Sequence, residues 1–296
     1  MHIAVLGMGN MGRAVALRLL DHELNVTIWN RTQGKAAQVV EAGASEASTP
    51  EDAAKGADAV LMSLADDAAV MEVTARLSEM GSGEDAPILA DMSTVSPRTS
   101  RAVRDMVPGG RFLAAPIIGA PQTIGHGKAT CLVAGDRRLA DRLEPVWSGL
   151  FCGTQYCGED PGAATTFKLL NNYLLISAMA VMAEVVATAE AAGLDTGLLR
   201  EALHKWPTVP PSLFNRIDDT IGGDHHGWFS TRLGAKDVRL VAEVAEANGL
   251  PLPIARLVER RYEEAARHTS AEADIAAIVE LVRAGRGPRP GLAVHA

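Results

Sequence analysis

The chain has 296 residues, room for two domains. Apolar residues make up 47% of it, which excludes global disorder. The net charge is −8 and no run of Lys and Arg stands out, so a nucleic-acid partner is not expected.

From the N-terminus, Ile3 to Leu6 is a short apolar run that ends in Gly7-Met8-Gly9-Asn10-Met11-Gly12. A helix-period run follows (Val15, Leu17, Leu19, Leu20), then a second strand, Val26 to Trp29. Strand, tight glycine turn, helix and strand in this order turn a weak G-x-G-x-x-G match into a dinucleotide-binding signal. Gly7 permits the turn, Gly9 leaves room for a pyrophosphate, and Gly12 lets the helix sit close on the strand. The helix N-terminus offers its N–H groups to the phosphates. The second strand ends in Asn30-Arg31-Thr32, with Lys35 one turn on, and no carboxylate stands where an NAD site places one for the ribose 2′-OH. A guanidinium grips a 2′-phosphate through paired, charge-assisted hydrogen bonds, so the expected cofactor is NADPH/NADP+. A solvated surface arginine is the plainer alternative.

Short apolar strands alternate with amphipathic helices up to about residue 160. Ala59 to Met62 opens into Ser63-Leu64-Ala65-Asp66, and Ile88 to Asp91 opens into Met92-Ser93-Thr94-Val95-Ser96-Pro97. Phe112 to Ala115 leads into a Pro and Gly loop, Pro116 to Gly127; Ala129 to Ala134 is one more strand, before a helix from about Arg138. This is an α/β pattern, and it predicts a doubly wound parallel sheet of the Rossmann type over residues 1–160, with ligands at the carboxyl ends of the strands.

After Asp160-Pro161-Gly162 the pattern changes. Ala163 to Ala192 holds no Pro and no Gly and is densely apolar. As a helix it would reach ~45 Å at ~1.5 Å per residue. Lys168, Asn171, Asn172, Glu184 and Glu190 interrupt it, so the expectation is the spine of a helical domain or a subunit interface rather than a membrane span. No membrane partner is expected, and a homodimer is, because one subunit alone leaves wide apolar faces uncovered. Gly193 ends this helix. Helices are predicted at Thr196 to Lys205, Arg232 to Asn248, Ile254 to His268 and Ala271 to Arg283, with a proline-rich break at Pro207, Pro210 and Pro211. Residues 161–285 thus form an all-α domain led by a long interdomain helix, and 286–296 a mobile tail.

Cys131, Cys152 and Cys157 form no C-x-x-C pair and no zinc spacing, and are expected as free thiols in a reducing cytoplasm. The first apolar run begins at Ile3, so a signal peptide is not expected. His225-His226 reads as a loop pair, because adjacent residues share no helix face; no metal site is expected.

Four motifs in order carry a resemblance over nearly the whole chain: Gly-Met-Gly-Asn-Met-Gly at 7–12, Asp91-Met92-Ser93-Thr94-Val95-Ser96-Pro97, Lys168-Leu169-Leu170-Asn171-Asn172 and Lys236-Asp237-Val238-Arg239-Leu240. The chain resembles the β-hydroxyacid dehydrogenase family, which includes 3-hydroxyisobutyrate dehydrogenase and the glyoxylate and succinic semialdehyde reductases. The resemblance implies that Lys168 bonds the reacting oxygen of a small carbonyl substrate and acts as general acid, with Asn172 orienting it. The chemistry is consistent: hydride arriving at carbon builds negative charge on oxygen, which an ammonium stabilises and protonates. Lys168 and Asn172 stand at i and i+4, on one helix face. A lysine that snorkels to solvent is the alternative. The resemblance further places Thr94 near the nicotinamide, Leu64 and Ala65 along the cofactor, and Phe229 and Lys236 in a segment closing over it. Phe229 as ordinary core is the alternative. Ser93 is a substrate-side candidate, with a turn-capping role as the plainer reading.

One loop departs from the family. Its usual Asp-Ala-Pro-Val-Ser-Gly-Gly holds a substrate carboxylate on Ser and Gly; here the run is Ala114-Ala115-Pro116-Ile117-Ile118-Gly119-Ala120-Pro121. Ile118 replaces the Ser and Ala120 the second Gly, so Ile118, Gly119 and Ala120 form a substrate wall against which a carboxylate goes unpaired. This run is similar to that of the imine reductases, which usually lack the family Lys, so reduction of a C=N bond is the alternative activity. A non-catalytic dinucleotide-binding protein is a second alternative, which retention of Lys168, Asn172 and Lys236 disfavours. A chromatin-type module is disfavoured by the acidic charge.

Overall fold

Every apolar run that the sequence places before a glycine or polar turn becomes a buried strand. The computed structural model describes residues 1–32, 34–80 and 86–285. It divides into two compact units between Asn171 and Asn172.

The first unit runs β1 (His2–Leu6), α1 (Asn10–Asp21), β2 (Asn25–Trp29), α2 (Ala37–Glu41), β3 (Ser45–Glu46), α3 (Pro50–Ala54), β4 (Ala59–Met62), α4 (Asp67–Ser78), β5 (Ile88–Asp91), α5 (Pro97–Met106) and β6 (Phe112–Ala114). It continues with β7 (Ile117–Ile118), α6 (Pro121–Gly125), β8 (Thr130–Gly135), α7 (Arg137–Arg142), α8 (Glu144–Leu150) and β9 (Gly153–Tyr156). The sheet order is β3-β2-β1-β4-β5-β6-β8-β7, with β9 beside β8. Alternate residues of each strand feed opposite faces. Ile3 and Val5 pack with Val15 and Leu19 of α1 and Trp147 of α8. Ala4 and Leu6 pack with Val70 and Val73 of α4 and Val103 of α5. Burial on both faces is why β4 and β5 lack polar alternation. Helix starts are set by side chains: Asp66 accepts from Ala69 N–H and Ser96 from Thr99 N–H, caps worth about 1 kcal/mol each.

The expected parallel pairing runs unbroken from β3 to β6 and returns between β8 and β9, with an antiparallel interruption between. β8 is antiparallel to both β6 and β7. The segment read as a Pro and Gly loop is spent on β7 and the one-turn α6, and an antiparallel return needs no packed crossover helix. Neither β7, α6 nor β9 is legible in the sequence pattern: β7 has only two residues, and β9 (Gly-Thr-Gln-Tyr) is mostly exposed and polar.

α9 (Pro161–Ala191) carries the chain across the division as one continuous helix. By length and composition alone it is apolar enough to cross a membrane. Ile176, Met179, Met182, Ala183 and Val186 form a buried stripe in the core of the second unit. α10 (Thr196–Lys205), α11 (Ile217–Gly222), α12 (Thr231–Glu246), α13 (Pro253–His268) and α14 (Ile278–Ala284) complete it. α10 matches its sequence expectation residue for residue. The expected helix from Ala271 to Arg283 shortens to a 3-10 turn at Ile275–Ala277 and α14, because Asp274 caps that turn from an extended bridge to Ser230. The proline-rich break is followed by a 3-10 turn, Pro211–Arg216, and α11, neither of them predicted. The expected mobile tail, 286–296, lies outside the described residues.

Candidate active site

The glycine run is held by contacts that a side chain would destroy. Gly7 sits at φ +99, and a Cβ there would lie 2.2 Å from the Ser63 carbonyl oxygen. A Cβ on Gly12 would lie 1.8 Å from the Gly7 carbonyl oxygen, so α1 and β1 meet backbone to backbone. Gly9 is different: a Cβ there meets nothing within 4 Å, and the residue is exposed. Gly9 is also the N-cap of α1, with no side-chain cap and no acid in the first turn. Its backbone donors and open approach fit a pyrophosphate.

Met8 is fully buried and Met11 packs on the same core, so the two methionines anchor the loop from below. The Met8 N–H donates to Asn30 Oδ1 at 2.9 Å, and Asn30 Nδ2 donates to the Thr32 carbonyl at 2.6 Å. Asn30 thus braces the glycine loop against the turn after β2. Arg31, Thr32 and Lys35 are exposed around it, and Arg13 donates to Asn10 Oδ1 at 2.8 Å.

The loops after β4 and β5 are stitched together. Leu64 N–H donates to Ser93 Oγ at 2.8 Å, and Ser93 N–H to Asp91 Oδ1 at 2.9 Å. Asp67 Oδ1 accepts from Ser96 N–H at 2.9 Å and from the Thr99 hydroxyl at 2.5 Å. Ser93 is therefore a brace between loops. Thr94 is half-buried, and Ala65 exposed, on the same carboxyl edge. The sequence motif includes Asp91 but gives no sign that Asp67 holds the two loops in register.

Beyond β6, Ile118 pairs with Thr130 and packs, partly buried, on the apolar cluster that includes Leu64. The Ala120 N–H donates to Thr123 Oγ1 at 2.7 Å, and that hydroxyl donates back to the Ala120 carbonyl at 2.8 Å. Gly119 is at φ +155, where a Cβ would lie 2.5 Å from Thr123 Oγ1. The N–H of Ala120 is thus already engaged within the loop.

At the start of α9, Arg101 of α5 grips Asp160, with 2.7 Å between Nη2 and Oδ2. That guanidinium holds the Asp160 carboxyl below the usual carboxylate range. A Cβ at Gly162 would lie 2.6 Å from the same guanidinium. Lys168, two turns on, is only 8% exposed.

In the second unit, Asn172 Nδ2 donates to Asp237 Oδ2 at 2.7 Å, and Lys236 Nζ lies 3.0 Å from Asp237 Oδ1. Both Asn172 and Asp237 are buried. The segment leading into α12 rests on a second buried ion pair, Arg216 with Asp274 at 2.7 Å. Trp228 covers the Arg216 guanidinium at 4.4 Å, and Phe229 N–H donates to Asp274 Oδ2 at 3.2 Å. Phe229 stacks on Trp228, and Ser230 caps α12. The sequence reading includes Lys236 and Phe229 but misses Asp237, Arg216 and Asp274, whose partners lie 58 or 65 residues away.

His225, read as a loop residue, does lie in a loop but is buried, with its ring between Asp219 at 3.1 Å and Glu280 at 3.2 Å. Burial pushes the Glu280 carboxyl up, but hydrogen bonds from His225 and Arg283 outweigh it and hold it below the usual range. Among the described residues no group of three or more His, Cys, Asp or Glu side chains is placed to hold a metal ion. Cys131, Cys152 and Cys157 are free thiols, and burial pushes the Cys131 thiol far up.

Residues 2–151 match the family described as the NAD binding domain of 6-phosphogluconate dehydrogenase. Residues 162–282 match the one described as the NAD-binding domain of NADP-dependent 3-hydroxyisobutyrate dehydrogenase. The chain belongs to the β-hydroxyacid dehydrogenase family. It is an NAD(P)-dependent oxidoreductase of that family. Glyoxylate/succinic semialdehyde reductase 1 of Arabidopsis thaliana is 27% identical over 292 residues, covering 97% of this chain and 100% of the relative. An uncharacterized oxidoreductase of Bacillus subtilis is 30% identical over 289 residues, covering 96% and 100%. Among solved structures, a 3-hydroxyisobutyrate dehydrogenase from Salmonella typhimurium superposes with a TM-score of 0.86 at 22% identity, covering 95% of this chain and 99% of that one. A Streptomyces aurantiacus imine reductase gives 0.61 at 26% identity, with the same coverage.

Proposed function

We propose that this dehydrogenase-family member is an NADPH-dependent reductase of a small carbonyl compound, with Lys168 as proton donor. The observation that carries the reading is the burial of Lys168 one helical turn before Asn172. An ammonium held on that face can stabilise the charge that builds on a carbonyl oxygen as hydride arrives, and can donate the proton. When bound, the reduced nicotinamide supplies hydride to the carbonyl carbon. Lys168 hydrogen-bonds the carbonyl oxygen and passes it a proton as charge builds; in the reverse direction it takes the proton from the alcohol. Asn172 orients Lys168. Arg31, Thr32 and Lys35 hold the 2′-phosphate, and Gly7 to Gly12 with the N-terminus of α1 hold the pyrophosphate. Leu64, Ala65 and Thr94 line the cofactor, and Phe229 and Lys236 cover it. Ser93, Ile118, Gly119 and Ala120 shape the substrate wall.

Reduction of a C=N bond is the second reading. It is favoured by the loop at Ile118 to Ala120, where a branched apolar side chain and an engaged N–H leave little for a substrate carboxylate. NADPH oxidation with a panel of aldehydes, ketones, semialdehyde acids and cyclic imines separates the readings. Carbonyl turnover is expected; strong imine turnover with none on carbonyls supports the second reading. Tight NADPH binding with no turnover supports a non-catalytic protein.

The active species is a cytoplasmic homodimer in this proposal. Phe167, Leu170, Leu174, Val181 and Val185 run along one side of α9 and are 37–73% exposed, an apolar stripe that a second copy would cover. Light scattering at micromolar concentration should return twice the 31.2 kDa chain mass or more; a stable monomer contradicts this.

A further inference from the structure

Asp237 stands next to the proposed machinery without a role in it. It is 2% exposed, and its two oxygens face different groups: Oδ2 the Asn172 amide nitrogen, Oδ1 the Lys236 ammonium. An ionised carboxylate only accepts hydrogen bonds, whereas an amide has one accepting and one donating end. Asn172 can therefore meet Asp237 with its nitrogen only; the flipped amide would set oxygen against oxygen in a buried place. Lys236 supplies the counter-charge that burying a carboxylate demands. The orientation of the Asn172 amide is thus fixed by a residue 65 positions away in the sequence.

The fixed orientation has a chemical consequence. Asn172 shares a face of α9 with Lys168, one turn earlier. With its nitrogen on Asp237, Asn172 has its accepting oxygen as the amide end turned away from that carboxylate. An acceptor favours an ammonium over a neutral amine, whereas amide N–H groups would repel it.

We infer that Asp237 is a positioning residue for proton donation: it locks the Asn172 amide so that its oxygen keeps Lys168 protonated and aligned. This rests on the reading of Lys168 as proton donor. Asp237→Asn keeps the volume but replaces an acceptor-only group with an amide that Asn172 can meet either way round, so the lock is lost.

The experiment is the pH dependence of kcat for carbonyl reduction at saturating NADPH, in the wild type and in the Asp237→Asn, Asn172→Ala and doubly substituted enzymes. A general acid must be protonated, so kcat falls on the alkaline side. Asp237→Asn should move that fall to lower pH by about one unit or more. It should also lower the plateau about ten- to a hundredfold, the scale of a misaligned catalytic group. Asn172→Ala should do the same, and the double variant should add little, since both changes break one chain of contacts. A fall left at its wild-type pH in Asp237→Asn overturns the inference. So does a full additional shift in the double variant, which would mean that Asp237 acts through Lys236. If Asp237→Asn does not fold, Asn172→Ala alone decides: an unmoved fall sinks the idea. Lys168→Ala separates loss of the proton donor from loss of its positioning. If it leaves carbonyl turnover intact, the proton-donor reading fails. If turnover depends on Lys168 but the fall does not move, only the role of Asp237 fails.

Discussion

The carboxyl edge of the sheet and the charged cluster of the helical unit are built from different atoms. At the sheet edge the decisive contacts are backbone on backbone: Gly12 against the Gly7 carbonyl, Gly7 against the Ser63 carbonyl. In the helical unit they are side-chain pairs, Asn172 with Asp237 and Arg216 with Asp274. Close backbone approach can be met only by glycine at set spacings, so it is written locally in the sequence. A buried charge needs only some opposite charge nearby in space, so its partner can come from anywhere in the chain. The first region tolerates almost no added atom; the second tolerates change in proportion to the charge left unpaired.

The largest effect should come at the sheet edge. Gly12→Ala places a methyl group inside contact distance of backbone that cannot swing away, and should abolish NADPH binding or the folded first unit. Cofactor titration and thermal denaturation check this, and a stable variant that binds NADPH would show that the glycine contact is not limiting. Next comes the buried pair. Arg216→Ala leaves Asp274 without its main partner and should cost about 3–5 kcal/mol in denaturant unfolding. A loss below about 1 kcal/mol would place that pair with the weak surface ion pairs.

A smaller effect is expected at the turn after β2. Arg31→Ala should raise the KM for NADPH about ten- to a hundredfold, the worth of one charged hydrogen-bonding group, with little change for NADH. Equal effects on the two cofactors would remove Arg31 from the 2′-phosphate. The smallest effect concerns pH. The Glu280 carboxyl is held below its ordinary value of 4.5, so its contribution to stability is complete above that value and is lost as pH falls through the lower folded value. Glu280 is partly exposed, so the contribution is below about 1 kcal/mol after screening. Glu280→Gln should be slightly less stable than wild type near neutrality, and the gap should close on acidification. A gap that stays constant down through the carboxylate range would assign the loss to packing.

What could be read in advance follows the same division. The β1-α1-β2 unit, the strands before Ser63 and Met92, and α10 were legible because periodicity and caps act over a few residues. The loop from Pro116 to Gly127 was not, because a two-residue strand and a one-turn helix are too short to show a period. The C-terminal helix is shorter than its sequence pattern suggests because Asp274 stops it through Ser230 and Arg216, neither of them near in sequence. Lys168, Asn172 and Lys236 are candidates through motif resemblance, not through any local periodicity. Asp237, adjacent to Lys236 in that same motif, gave no sign of its tie to Asn172, and nothing local distinguished buried His225 from exposed His226.

The central claim is that Lys168 gives the proton in carbonyl reduction, and one substitution tests it most directly. In Lys168→Ala, kcat on the best carbonyl substrate should fall by about two to four orders of magnitude, the range for a general acid, while NADPH affinity stays nearly intact. An iminium substrate already carries its charge and would be repelled by an ammonium, so any imine turnover should survive or rise. Carbonyl turnover within a few-fold of wild type would contradict the account.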